Sequence, residues 1–289
     1  MSVKDLKISK LTPTIGAELS GIDLNSDLDD ATLDTIYGAL IDNLVIFFRD
    51  QDLSPAAHLS FARSFGEPEP PHPVYPHVDD FENIVVLAND AKTPPDTDGW
   101  HADVTFKPNP PFASILSARQ VPECGGDTMW ANMYAAYDAL PEGMKADLAD
   151  LQAVHDMGDF RNNFATGPDA GEALTKAHGR FGSAVHPVVM HHPVTERPFL
   201  YVNEGFTQHI AGLTARQSRR LIGYLLDHIN RPEFQVRFRW QNNSVAMWDN
   251  RVTQHYAVAD YLPAYRCMHR VTVVNDRRAD ANVNLAKAG

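Results

Sequence analysis

Three observations predict a mainly β fold of the α+β class, an antiparallel barrel or sandwich that carries helical insertions. Short apolar runs bounded by turn residues recur along the chain. Capped helices stand before and between them, and three apolar runs follow one another near the C-terminus. Strict alternation of apolar and polar residues is weak, so the number and spacing of the runs carry the prediction.

The elements follow in order. Segment 4–24 reads as short strands around the turn-forming Pro13 and Gly16. A helix is expected from about Asp29 to Asn43, because Leu33, Ile36, Leu40 and Leu44 share a face. Leu44–Phe48 then reads as a buried strand. Ser54-Pro55 supplies a cap and a first-position proline, Phe61, Ala62 and Phe65 line one face, and Gly66 is expected to stop that helix. Proline-rich segments at 67–76 and 94–95 flank a strand expected over Asn83–Ala88. Short strands are expected after Asp103, then a helix around 144–153 on Met144, Leu148 and Leu151. A further helix, capped by Thr214, carries Leu221, Leu225 and Ile229. Strands at Phe234–Trp240, Ser244–Trp248 and Cys267–Val274 close the fold.

Bulk properties narrow the function. At 289 residues the chain can bury the core of one large domain or two small ones. No apolar run approaches the ~20 residues of a membrane span, and MSVKDLKISKL lacks the apolar block of a secretory signal. A soluble, cytoplasmic protein is expected. A formal charge of -12 argues against coating nucleic acid or an anionic membrane. Cys124 and Cys267 form no CxxC pair, so a metal site must rest on His and carboxylate, and both thiols read as structural.

Gly99-Trp100-His101-Ala102-Asp103-Val104 offers such a site. On a strand, residues two apart point the same way, so His101 and Asp103 would share a face. His255, between two expected strands, is the candidate third ligand. Two His and one carboxylate leave open positions on iron(II) for a bidentate cosubstrate and O2. The helical HExxH of many zinc hydrolases is absent. An HxD pair is also met as an ordinary hydrogen bond, and 13 histidines make a distant partner easy to find.

Tyr265-Arg266-Cys267-Met268-His269-Arg270 adds a second signal. As a strand it puts Arg266 and Arg270 on one face, about 13 Å apart, too far to share one small carboxylate. Two arginines inside a barrel call for two anions, and guanidinium suits carboxylate or sulfonate. The competing reading pairs them with some of the 37 acidic residues on a solvated face.

WHADVTF, GGDTMWANMYAAYDAL, VNEGFT, PEFQVRFRWQNNSVAMWDNRVTQHYA and DYLPAYRCMHRVTV, in this order from about Ile8 to Asp276, resemble the iron(II)/2-oxoglutarate-dependent taurine/2,4-D dioxygenase family. The resemblance implies a single domain over 1–289, a distorted double-stranded β-helix (jelly-roll) barrel with helical insertions. It implies iron on His101, Asp103 and His255, and 2-oxoglutarate on Arg266 with help from the Thr128 hydroxyl. For the substrate it implies His72 and Tyr75, from His72-Pro73-Val74-Tyr75, with Arg270 as the sulfonate clamp, the main chain near Val104, and Phe164 and Phe206 as apolar walls. Thr97 stands where an asparagine is expected near a taurine amine, and it cannot supply both polar functions of an amide. The implied reaction consumes O2, with ascorbate as a stimulant, and hydroxylates taurine at the carbon bearing the sulfonate. It gives sulfite, aminoacetaldehyde, succinate and CO2. Another alkyl sulfonate, a sulfate ester or an aryloxyacetate is the alternative substrate, a non-catalytic metal- or anion-binding barrel the alternative class, and a homodimer or homotetramer the implied assembly. His186, His191 and His192 have no carboxylate nearby in sequence and read as structural or surface residues.

Overall fold

The computed structural model describes residues 6–72, 74–95, 99–158 and 169–279. Its strands are β1 (Lys7–Lys10), β2 (Ala17–Ser20), β3 (Val45–Phe48), β4 (His77–Val78), β5 (Phe81–Asn89), β6 (Ala113–Gln120), β7 (Thr128–Asn132) and β8 (Gln152–Asp156). They continue with β9 (Ser183–Pro187), β10 (Val189–His191), β11 (Pro198–Leu200), β12 (Thr207–Ile210), β13 (Gln235–Phe238), β14 (Val245–Asp249), β15 (Thr253–Ala257) and β16 (Arg266–Val273). The helices are α1 (Asp30–Asn43), α2 (Pro55–Arg63), α3 (Met133–Asp138), α4 (Glu142–Leu148), α5 (Ala170–Phe181) and α6 (Ala215–Ile229).

The large sheet runs β1-β2-β3-β14-β6-β16-β5-β4, and a smaller one runs β13-β7-β15. They form a distorted jelly roll with helical insertions. Residues of β3 and β14 alternate between two clusters. Val45, Phe47, Ala246 and Trp248 join Trp130 and Phe238 of the smaller sheet. Ile46, Phe48, Val245 and Met247 instead join Ile36, Leu40, Phe61 and Phe65 from the α1–α2 region. Between the sheets Phe47 stacks on Phe238, with centroids 4.0 Å apart. Because both faces of the central strands are buried, they read as continuous apolar runs without an alternating pattern.

The expected caps form. Asp29 accepts from the Thr32 N–H at 2.8 Å and Ser54 from that of Ala57 at 3.2 Å, and Thr214 with Gln217 makes a capping box. Two expectations are corrected. The helix sought at 144–153 ends at Leu148, and strand β8 begins at Gln152. Leu151 still packs against the inner core, so its apolar character came from burial, not from a third helical turn. Gly66 does not stop α2, which ends at Arg63. A Cβ at Gly66 would stand 1.9 Å from the Asn275 carbonyl, so glycine there lets the C-terminal segment cross closely. No helix among the described residues is long and apolar enough to cross a membrane.

Candidate active site

His255 lies within β15, paired in register with Trp130 of β7. His101 is not in a regular strand. It forms a single antiparallel bridge with His255, exchanging backbone N–H···O bonds of 3.1 and 2.7 Å. The chain then turns, Asp103 sits in the turn, and Val104 takes φ +48°. The expected strand geometry of HxD is thus corrected: a bridge followed by a turn brings the two side chains together.

The Nδ1–H of His101 donates to the Gly99 carbonyl at 2.8 Å, which leaves Nε2 as the lone-pair atom. The Nε2 atoms of His101 and His255 each lie 3.8 Å from Asp103 Oδ1, and one ligand atom from each of the three residues lies within 4.8 Å of the others. That spacing is too long for hydrogen bonding. It suits atoms each roughly 2 Å from one divalent ion. Burial first, then His101, pushes His255 down to about 3, so its imidazole is neutral and able to ligate. Burial opposes ionisation of Asp103, but Arg270, His255, His101 and the Ser114 hydroxyl outweigh it and hold the carboxyl below the usual carboxylate range. Ser114 donates to Oδ2 at 2.9 Å, and Arg270 Nη1 lies 3.3 Å from Oδ1. Two His and one carboxylate on one side of an ion fit iron(II) with open positions.

These groups open into a cavity of about 420 Å³, and Thr128, Arg266, His72, Tyr75, Val104, Phe206 and Arg270 line it too. Arg266 is only 6% exposed. Its Nε donates to the Gly126 carbonyl at 3.1 Å and its guanidinium lies 5.9 Å from the Tyr261 ring centroid. Among the described residues its ion pairs include no carboxylate, and burial lowers its proton affinity. A buried guanidinium so placed fits an anionic cosubstrate. Thr128 Oγ1 accepts from Trp240 Nε1–H at 2.9 Å, so its own hydroxyl hydrogen can serve an anion.

At the other end of the same face, His72 Nδ1 accepts from the N–H groups of Val74 and Tyr75, both at 3.2 Å, which puts its hydrogen on Nε2. Burial, then Arg270 and Lys107, push His72 down to about 4, so at neutral pH it is an uncharged donor. Tyr75 stacks on it at 4.6 Å. Phe206 meets the His101 ring edge-on at 6.0 Å. Thr97 and Phe164 lie outside the described residues.

Several supporting residues escaped the sequence reading. Ser114 is one. Asn250 is another: its Oδ1 accepts from the Asp103 N–H at 2.7 Å. Glu204 lines the cavity mouth, and Gly205 lets the chain pass where a Cβ would be 3.1 Å from His101 Cβ. His192 does have a carboxylate partner, in space if not in sequence. Its Nε2 lies 3.0 Å from Asp249 Oδ2, and both residues are buried. His186 Nε2–H donates to the Thr105 and Lys107 carbonyls at 2.8 and 3.1 Å, while His191 is exposed. The Ser114 bond spans 11 residues, and the other hydrogen bonds span 57 to 147, which leaves no local signal.

Comparison with known proteins adds the lineage. A family model described as taurine catabolism dioxygenase TauD, TfdA family matches residues 7–272. An alkylsulfatase from Acinetobacter baylyi is 39% identical over 279 residues, covering 94% of this chain and 86% of the relative. An alpha-ketoglutarate-dependent sulfate ester dioxygenase from Pseudomonas putida is 40% identical over 279 residues, covering 94% and 90%. A crystal structure of a taurine dioxygenase from Burkholderia xenovorans superposes with a TM-score of 0.80 at 38% identity, again covering 94% and 90%. The chain belongs to the taurine catabolism dioxygenase TauD, TfdA family and is a 2-oxoglutarate-dependent dioxygenase.

Proposed function

We propose that this enzyme oxidises an organic sulfate ester at the carbon bearing the ester oxygen. In this reading His101, Asp103 and His255 hold iron(II), Arg266 and Thr128 hold the distal carboxylate of 2-oxoglutarate, and Arg270 with neutral His72 holds the sulfur anion. The observation that carries it is the presence of two separate cationic anchors in one cavity, Arg266 at one end and Arg270 beside Asp103 at the other. Iron(II) with 2-oxoglutarate and O2 supplies the oxidising power when bound, giving succinate, CO2 and a hydroxyl on the carbon next to the anionic head.

The chain's own residues orient and neutralise. Guanidinium and imidazole donors fix the sulfur oxyanion, so the adjacent carbon faces the side that His101, Asp103 and His255 leave open. Phe206 and Val104 keep that side apolar, and Pro76, Pro95 and Leu87 offer surface for an alkyl tail. A carbon bearing both hydroxyl and sulfate collapses to an aldehyde and inorganic sulfate. The two relatives named for sulfate esters support this choice. Taurine is the second reading, supported by the His72–Tyr75 pair and by the solved taurine dioxygenase. There the same hydroxylation would release sulfite and aminoacetaldehyde.

The test incubates anaerobically prepared protein with iron(II), 2-oxoglutarate, ascorbate and O2, adding hexyl sulfate, hexanesulfonate, taurine or an aryloxyacetate in turn. Equimolar sulfate and succinate from hexyl sulfate support the proposal. Sulfite from taurine with no sulfate from the ester replaces it by the second reading.

A further inference from the structure

Asn250 is wholly buried, at 0% exposure, in the turn joining β14 to β15. A buried amide is costly unless its donors and acceptor are used. Here all are used, and all reach across the fold. Oδ1 accepts from the Asp103 N–H at 2.7 Å, and Nδ2 donates to the Asp103 carbonyl at 3.1 Å and to the Pro111 carbonyl at 3.2 Å. Its backbone N–H donates to the Phe112 carbonyl at 2.8 Å. One side chain therefore pairs with both backbone groups of Asp103, as a neighbouring strand would.

The sheet offers Asp103 no such partner. Ladder bonding from β15 stops at the His101–His255 bridge, two residues earlier. One residue later Val104 stands at φ +48°, a conformation that a β-branched residue keeps only where its surroundings enforce it. The turn that carries Asn250 is itself anchored. Asp249 takes two guanidinium bonds from Arg251, at 2.9 and 2.6 Å, and lies 3.0 Å from His192, while Arg251 also reaches Asp276 at 2.9 Å.

We infer that Asn250 is a positioning residue that fixes the Asp103 carboxylate relative to His255, five residues further along the chain, and so sets the affinity of the metal site. The inference rests on the proposed iron site. Partners behind a metal ligand commonly govern affinity by 10–100-fold. An amide is required, because the position needs an acceptor toward an N–H and donors toward two carbonyls. Aspartate would turn an oxygen toward those carbonyls.

The test titrates metal-free full-length protein with manganese(II) and reads bound metal by electron paramagnetic resonance, with no turnover involved. Asn250→Ala is expected to bind about 10–100-fold more weakly than the parent, while Asn132→Ala binds like the parent. Asn132 is also buried and loses two hydrogen bonds, to the Ala135 N–H and the Thr14 carbonyl, yet it touches neither Asp103 nor Asn250 in the bonds it makes. Asn250→Ser, which keeps one hydroxyl, replaces the alanine variant if that chain does not fold, with the same expectation. Parent-like affinity in the Asn250 variant overturns the inference, and so does an equal loss in Asn132→Ala. A His101→Ala chain that binds manganese(II) like the parent overturns the metal site itself, which separates the two failures.

Discussion

Two positions on β16, its first residue Arg266 and mid-strand Arg270, face the same cavity and are built differently. At the Arg266 end the continuous β7–β15 pair carries Thr128, whose hydroxyl is oriented by Trp240, while the flanking loops supply the Gly126 carbonyl and the Tyr261 ring. Around Arg270 the neighbours come from loops and turns: His72 and Tyr75 from a proline-rich segment, Asp103 and Val104 from the turn after the bridge, Phe206 from the stretch before β12. A strand-built end holds one unchanging anion, and a loop-built end can be re-cut for different substrates without disturbing the sheet.

Loss of a proposed metal ligand is expected to abolish the contrast, because in the proposed arrangement both ends serve the same ion. In His101→Ala, succinate formation with and without substrate should fall further than the roughly 100-fold typical of changes behind a ligand, as product analysis would show. Arg266→Met isolates the strand-built end. Affinity for 2-oxoglutarate should weaken roughly 100-fold, about 3 kcal/mol, in a binding titration, with metal affinity retained. The metal-free, cosubstrate-free variant should unfold at a higher temperature than the parent, since a buried cation gives way to a thioether of similar length. Arg270→Ala isolates the loop-built end. The KM for the sulfur substrate should rise roughly 30-fold, about 2 kcal/mol, while 2-oxoglutarate binding changes little.

The smallest expected effect is on pH. His155 is buried, packs against His186 and Tyr201, and hydrogen-bonds Thr105 at 2.9 Å, just beyond Asp103. Burial, then His186, push it down to about 3. The folded state thus favours neutral imidazole. Its contribution is complete above the unfolded value near 6.5 and declines as pH falls toward 3. The share of His155 in the stability lost between pH 7.5 and pH 5.5 should be about 1 kcal/mol, and His155→Gln should reduce the drop measured by urea unfolding by about that amount. Hydrogen exchange at pH 5.5 should rise around 103–107 before it rises in β7 and β15.

Legibility in the sequence followed the same division. Strand parity alone put Arg266 and Arg270 on one face, because period-two geometry is local, and the caps at Asp29, Ser54 and Thr214 were legible for the same reason. The motif segments gave His101, Asp103 and His255, but the reason offered for HxD, a shared strand, was not the one the fold uses. Strands β4, β8 to β12 and β15 and helices α3 and α5 went unseen, and His255, expected between strands, stands within β15. Those strands are two to five residues long, and several pair over long sequence separations, as Thr207 does with His155. Asn250 sat in plain view within WDNRVTQH, yet its partner is 147 residues away. Its role exists only once the two segments meet.

The His101–His255 bridge has a consequence for which metal the protein carries. Two of the three proposed ligands stand on residues joined by a backbone rung, and a rung does not adjust to ionic radius. Cobalt, nickel, copper and zinc would find the same two imidazoles ready, and several of them bind nitrogen more tightly than iron does. Selection at those two corners therefore falls to the supply of ions in the cell, and protein purified without added iron should come away carrying whichever competing ion was most available.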